Sequence, residues 1–147
     1  MEIVRLAPGD EDRVRAASHL FDGPARAAET ARALREPTHH LLIAYEDGEP
    51  AGFVSGVEIT HPDKPTEMML YELGVDGARR RRGIGRALVR GLAALAAERG
   101  CPSMFVLTEK TNAAAIATYG FDDPVREDDF VMFTWKLPPS WRPPPAG

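Results

Sequence analysis

Tyr71-Glu72-Leu73-Gly74-Val75-Asp76-Gly77-Ala78-Arg79-Arg80-Arg81-Arg82-Gly83-Ile84-Gly85-Arg86-Ala87-Leu88 is the stretch that decides the fold. A strand over Glu67 to Val75 runs into a turn with two glycines two apart, and a helix begins there. Ile84, Leu88, Leu92 and Leu95 recur at i, i+4, i+8 and i+11, the apolar stripe of an amphipathic helix closed by Gly100 and Pro102. Glycine lets backbone approach a ligand closely, and the first N–H groups of a helix have no partners within it. With the helix dipole they make an anion site suited to a pyrophosphate. Arg79 to Arg82 and Arg86 add guanidinium groups able to fork onto phosphate oxygens. Taken alone, such a charge run reads as a solvated loop or a nucleic-acid patch. The dinucleotide-binding fingerprint fails for want of a third glycine after Gly83-Ile84-Gly85, and no Gly-Lys-Ser/Thr follows to make a nucleotide-hydrolase loop.

Upstream, Ile3 to Leu6 reads as a first strand. Asp10 is placed to cap a helix over Glu11 to about Leu20, and a second, Ala-rich helix runs from Ala25 to Arg35, stopped at Pro37. Leu41 to Tyr45 and Ala51 to Thr60, joined through Glu46-Asp47-Gly48-Glu49-Pro50, form a hairpin. The two prolines of Thr60 to Pro65 predict a loop there. Downstream, Met104 to Leu107 is a short buried strand, Asn112 to about Tyr119 a short helix, and Phe130 to Leu137 a last strand. The order β-α-α-β-β-β-α-β-α-β mixes hairpins with crossovers and predicts an α+β fold with a mixed sheet. Residues 1–137 are expected to form one domain. Residues 138–147, with five prolines in ten positions, are expected to be a disordered or extended tail.

The 147 residues suffice for one core and are too few for two ordinary domains. A composition 44% hydrophobic and 27% charged is that of a globular protein. No apolar run is long enough to span a membrane, and the N-terminus does not read as a secretory signal, so a cytoplasmic location is expected. The single Cys101 excludes a disulfide framework, and a net charge of −4 argues against nucleic acid as the partner.

Arg80-x-x-Gly83-x-Gly85 resembles the Arg/Gln-x-x-Gly-x-Gly/Ala signature of the GNAT superfamily of acetyl-CoA-dependent N-acetyltransferases. Leu73-Gly74-Val75-Asp76 looks like the strand end that precedes that signature, and Asn112-x-x-Ala115-x-x-x-Tyr119 resembles the superfamily's second motif. Within the superfamily, Tyr71 to Val75 and the hairpin before it look similar to bacterial aminoglycoside 3-N-acetyltransferases. One spacing departs: Gly120-Phe121 follow Tyr119 directly, where three residues usually intervene. The resemblance implies a mixed, mostly antiparallel twisted sheet flanked by helices. It also implies acetyl-CoA as cosubstrate, with backbone N–H groups of Arg82, Gly83, Ile84, Gly85 and Arg86 holding the pyrophosphate beside the Arg80 and Arg81 charges. The Leu73 and Val75 main chain would pair with the pantetheine arm like an added strand. Many such folds dimerise, so a homodimer is a family expectation.

Acetyl transfer to an amine needs the amine neutral, although an alkylamine has a pKa of about 10.4. Glu72, on the strand entering the turn, is the first choice of base and Glu67 the second; a solvent-facing or arginine-paired Glu72 is the competing reading. Tyr119 is either the proton donor to the leaving thiolate or a buried, hydrogen-bonded tyrosine. Asn112 is a helix cap, a pantetheine contact, or both. His39, His40 and His61 fit no metal spacing and read as surface or hairpin residues, Cys101 as an inert thiol, and no metal is expected. Glu109, Asp122, Asp123, Glu127, Asp128 and Asp129, with Glu58, Asp63 and Glu67, suggest an acidic acceptor side for a polycation, or a solvated acidic loop. The expected partner is a small-molecule amine, foremost an aminoglycoside. A protein N-terminus or lysine, and a non-catalytic acetyl-CoA-binding domain, remain alternatives.

Overall fold

A computed structural model describes residues 1–145. Five strands, β1 (Glu2–Arg5), β2 (His39–Glu46), β3 (Glu49–His61), β4 (Lys64–Val75) and β5 (Met104–Val106), lie side by side in chain order. The first three pairings are antiparallel and the last, β4 with β5, is parallel. Four α-helices accompany them: α1 (Glu11–Ala16), α2 (Ala27–Arg35), α3 (Ile84–Glu98) and α4 (Ala113–Tyr119). The α+β class and the mostly antiparallel sheet are as the sequence predicts. A parallel pair needs a crossover, and α3 supplies it.

The β2–β3 hairpin closes through Asp47 and Gly48 at φ 54° and 80°, the two left-handed positions of a type I′ turn. The expected loop at residues 60–65 is instead a tight turn. His61 pairs with Lys64, and Pro65 sits at the start of β4, where few ladder donors are needed. α3 lays Ile84, Leu88, Leu92 and Leu95 on one sheet face against Leu42, Val54, Met68 and Leu70. Leu88 and Leu92 are fully buried, each side chain gaining about 1.5–3 kcal/mol from that burial. Val14 and Ala17 cover the opposite face over Ile43 and Phe53.

The last strand predicted at Phe130–Leu137 does not form, and the chain beyond α4 carries no regular element among the described residues. Alternation gives that segment strand character, but a strand exists only when another strand pairs with it. Within residues 138–145 there is one turn, where Trp141 N–H donates to Pro138 O at 2.8 Å; residues 146–147, the end of the expected tail, lie outside the described part.

Of the surface and hairpin readings, His39 is exposed, while His40 is a hairpin residue buried on β2, where it pairs with Gly56. Its Nδ1 lies 3.1 Å from an Arg5 guanidinium nitrogen and its Nε2 lies 2.7 Å from Glu58 Oε1. Arginine only donates, so Nδ1 accepts and Nε2–H donates to Glu58, which fixes a neutral imidazole. Arg99 completes the network on Glu58 at 2.6 and 3.4 Å. Glu58 therefore serves the fold and not an acidic acceptor side. Burial, with the Arg5 and Arg99 charges, pushes the His40 pKa below 6.5 despite the Glu58 hydrogen bond. Protons then bind the unfolded chain first, so stability should fall as pH drops below about 6.5 and level off below the folded-state pKa. Urea midpoints from pH 7.5 to 5 check this, and His40→Gln, which keeps one donor and one acceptor, should flatten that part of the curve.

Candidate active site

β4 changes phase in its middle. Ser55 of β3 pairs with Glu72 and the adjacent Gly56 with Leu70, so Tyr71 is an extra residue, a β-bulge. The Glu72 N–H turns to the Ser55 hydroxyl oxygen at 3.1 Å. Before the bulge, Met68 N–H donates toward β5, to Ser103 O at 3.1 Å; after it, Asp76 N–H donates toward β3, to Ala51 O at 2.9 Å. By alternation the peptide groups of Leu73 and Val75 point to the β5 side. There β5 reaches only to Leu70, and residues 71–75 have no ladder partner on that edge among the described residues. The bulge thus leaves the Leu73 and Val75 peptide groups on an open stretch of edge.

The chain then rounds the turn into α3 through Arg81 at φ 62° and Gly83 at φ 82°. Gly83 is the N-cap and no side chain caps the helix; the first intrahelical donor is Ala87 N–H, to Gly83 O at 3.0 Å. N–H groups of Gly83, Ile84, Gly85 and Arg86 are left for a ligand. A Cβ on Gly83 would meet nothing within 4 Å, so the space over the loop is open. These donors fit a pyrophosphate. Gly83→Ala should cost about 1–2 kcal/mol through its left-handed φ. By putting a methyl in that space it should also raise KM for acetyl-CoA about tenfold, measured by initial rates.

The arginines divide. Arg79 and Arg82 both donate to Glu46 Oε2, at 3.1 and 3.0 Å, and Arg79 also to Glu46 O, tying the turn to the β2–β3 hairpin. Arg86 reaches α4 instead, donating to Ala117 O at 3.2 Å. Arg80 and Arg81 are exposed and make no ion pair among the described residues, leaving their charges for an anion. Glu46, thirty-six positions from Arg82, had no local signal that would mark it in the sequence.

Glu72 is exposed and has no ion-pair partner among the described residues, which removes the arginine-paired reading. Glu67 accepts from Ser103 Oγ at 2.7 Å, at the other end of β4, about 16 Å along the strand. Asn112 caps α4, its Oδ1 accepting from Ala115 N–H at 3.0 Å. Tyr119 ends α4 half-buried against the α3 core, and burial raises its pKa, so it keeps its proton. Of the other acidic residues, Asp122 pairs with Arg90 and Asp128 with Arg126.

An open β4 edge running into an uncapped helix over a two-glycine turn is the donor-binding frame of a CoA-dependent acyltransferase. Residues 10–121 match the model of the acetyltransferase (GNAT) family, and the chain belongs to that family. A 69-residue stretch is 36% identical to an L-2,4-diaminobutyric acid acetyltransferase of Streptomyces coelicolor, covering 46% of this chain. The match spans 39% of that relative's length, and a second one, to the same type of enzyme from Virgibacillus pantothenticus, spans 26%. Among solved structures, an aminoglycoside acetyltransferase from a soil metagenome, in complex with sisomicin, superposes with a TM-score of 0.85 at 21% identity, over 92% of this chain and 95% of that one. A second soil-metagenome aminoglycoside acetyltransferase reaches 0.79 at 28% identity, over 92% and 97%. Aminoglycoside N-acetyltransferase AAC(6')-Iy, in complex with CoA, reaches 0.71 at 19%, over 92% and 99%. Acetyl-CoA is the cosubstrate of this family. No helix among the described residues is long and apolar enough to cross a membrane.

Proposed function

We propose that the chain transfers acetyl from acetyl-CoA directly to a primary amine of a small polyamino molecule, foremost an aminoglycoside, acting in the cytoplasm where the donor is made and so conferring resistance to such antibiotics. The observation that carries this reading is the coincidence, within one strand, of the free Leu73–Val75 peptide groups and the exposed, unpaired Glu72. The names of the structural neighbours support the acceptor class. The diaminobutyrate enzymes among the relatives favour a second acceptor, a small diamino acid.

Acetyl-CoA when bound supplies an activated acetyl group, its pyrophosphate held by the N–H groups of residues 82–86 with Arg80 and Arg81 alongside. Leu73 and Val75 hold the pantetheine arm as an added strand, Asn112 flanks it, and an N–H near Val75 faces the carbonyl oxygen. The Glu72 carboxylate takes the proton of the acceptor's ammonium, directly or through water. The Tyr119 hydroxyl, kept protonated by burial, gives a proton to the departing thiolate. No residue of the site is an activated nucleophile, so transfer proceeds without a covalent enzyme intermediate.

Free-thiol release from acetyl-CoA, measured against aminoglycosides, linear polyamines, 2,4-diaminobutyrate and Lys- or Ser-ended peptides, tests this. Turnover on aminoglycosides upholds the reading, and turnover on diaminobutyrate alone moves the acceptor to the diamino acid. Turnover on peptides alone, or binding of acetyl-CoA without turnover anywhere, overturns it.

A further inference from the structure

Four guanidinium groups stand in a row at residues 79–82, and like charges so close push one another apart. The row lies in the turn that leads β4 into α3, where regular structure is confined to one short 3-10 turn at Gly77–Arg79. Arg81 is held there at φ 62°, and a side chain in that region is strained and persists only where its surroundings fix it. Before the row, Asp76 moors the turn: its N–H donates to Ala51 O at 2.9 Å, and its Oδ1 accepts from Ala78 N–H at 2.9 Å. After the row, Ile84 is buried in the core. Between these points, among the described residues, Glu46 alone reaches in from outside the turn to hydrogen-bond with residues 77–82.

A single oxygen of Glu46, Oε2, accepts from Arg79 Nη1 at 3.1 Å and from Arg82 Nη1 at 3.0 Å, the first and last of the row. Both ends of the run therefore come to one atom, and Arg80 and Arg81 between them are left exposed. The Arg79 and Glu46 side chains are 21% and 22% exposed, so solvent screens their pairing only in part. Arg79 has a second bond, to Glu46 O at 3.0 Å, which any residue at that position would supply. Arg82 has no other side-chain partner among the described residues, and it directly precedes Gly83, the N-cap of α3. The carboxylate thus fixes the residue next to the free N–H groups.

We propose that Glu46 is a positioning residue for the donor: it closes the arginine turn so that the N–H groups of Gly83 to Arg86 converge on the pyrophosphate of acetyl-CoA. This rests on the placement of the pyrophosphate over residues 82–86. Charge alone predicts the opposite sign, because removing a carboxylate and freeing two arginines would draw an anion in.

Calorimetric titration of the full chain with acetyl-CoA, with no acceptor present, separates the two. Glu46→Ala should raise Kd about tenfold, the loss expected when hydrogen bonds to a charged group are removed. The melting temperature of the unliganded protein should stay within a few degrees. Glu46→Gln keeps one oxygen that can accept from both arginines, without the charge, and should raise Kd only about threefold. In a chain already carrying Arg79→Ala and Arg82→Ala, adding Glu46→Ala should change Kd by less than about twofold, because the carboxylate acts through those two side chains. Gly83→Ala reports on the site itself. If Gly83→Ala weakens binding while Glu46→Ala leaves it unchanged or tightens it, the positioning role is overturned and the site stands. If neither change weakens binding, the pyrophosphate lies elsewhere and the proposal falls with that placement. A loss of affinity that Gln does not relieve, or that persists in full without the two arginines, overturns it as well.

Discussion

Glu72→Gln is expected to lower kcat for acetyl transfer about 100-fold or more, with KM for acetyl-CoA and the unfolding free energy close to unchanged. A positioned base contributes on the order of 10²–10⁴ in rate. The substitution keeps size and shape and removes only the capacity to take a proton. Glu72 is exposed and its carboxylate holds nothing else among the described residues, so the fold loses little with the charge. Only its N–H, bonded to Ser55, has a structural task, and that survives the change. Rates measured across pH separate the roles. A base lost to Gln leaves a residual rate that rises with pH as the free amine accumulates. A merely solvent-facing Glu72 would leave kcat within twofold.

Gly52→Val should be the most damaging change to stability, by about 3 kcal/mol. A Cβ at Gly52 would stand 2.9 Å from Gly74 O, 3.0 Å from Ile84 Cγ2 and 3.1 Å from Leu88 Cδ1. The oxygen is backbone and cannot swing aside, and overpacking a core costs about 1–3 kcal/mol before the branched side chain meets Leu88. Gly52 pairs with Val75, so relief of the clash moves the end of β4 and the first turn of α3 together. Thermal melting should show a lower Tm, and acetyl-CoA binding should weaken beyond what the loss of folded protein explains. If the melting point holds within a degree or two, the close approach is wrong.

What could be read without coordinates was local. The Ile84-Leu88-Leu92-Leu95 stripe and Gly83 at its head depend on neighbours three and four residues away, and both stand where their spacing puts them. The hairpin at Asp47-Gly48 is equally local. The bulge at Tyr71 was hidden, because it depends on how many residues β3 sets opposite β4. The Glu46 anchor and the buried His40 were hidden for the same reason: their partners lie 18 to 36 positions away. Phe130–Leu137 shows the opposite failure, a strand pattern with no strand beside it among the described residues.

The bulge has one consequence for how such a protein diverges. It cuts β4 into two stretches that answer to different neighbours. Met68–Leu70 keeps step with β5, while Leu73–Val75 keeps step with Gly52–Val54 and runs on to the head of α3. Changes that retune the first stretch need not shift the peptide groups of the second. On the function proposed above, a lineage could therefore alter what it accepts while keeping the stretch assigned to the donor, with a single surplus residue as the joint between the two.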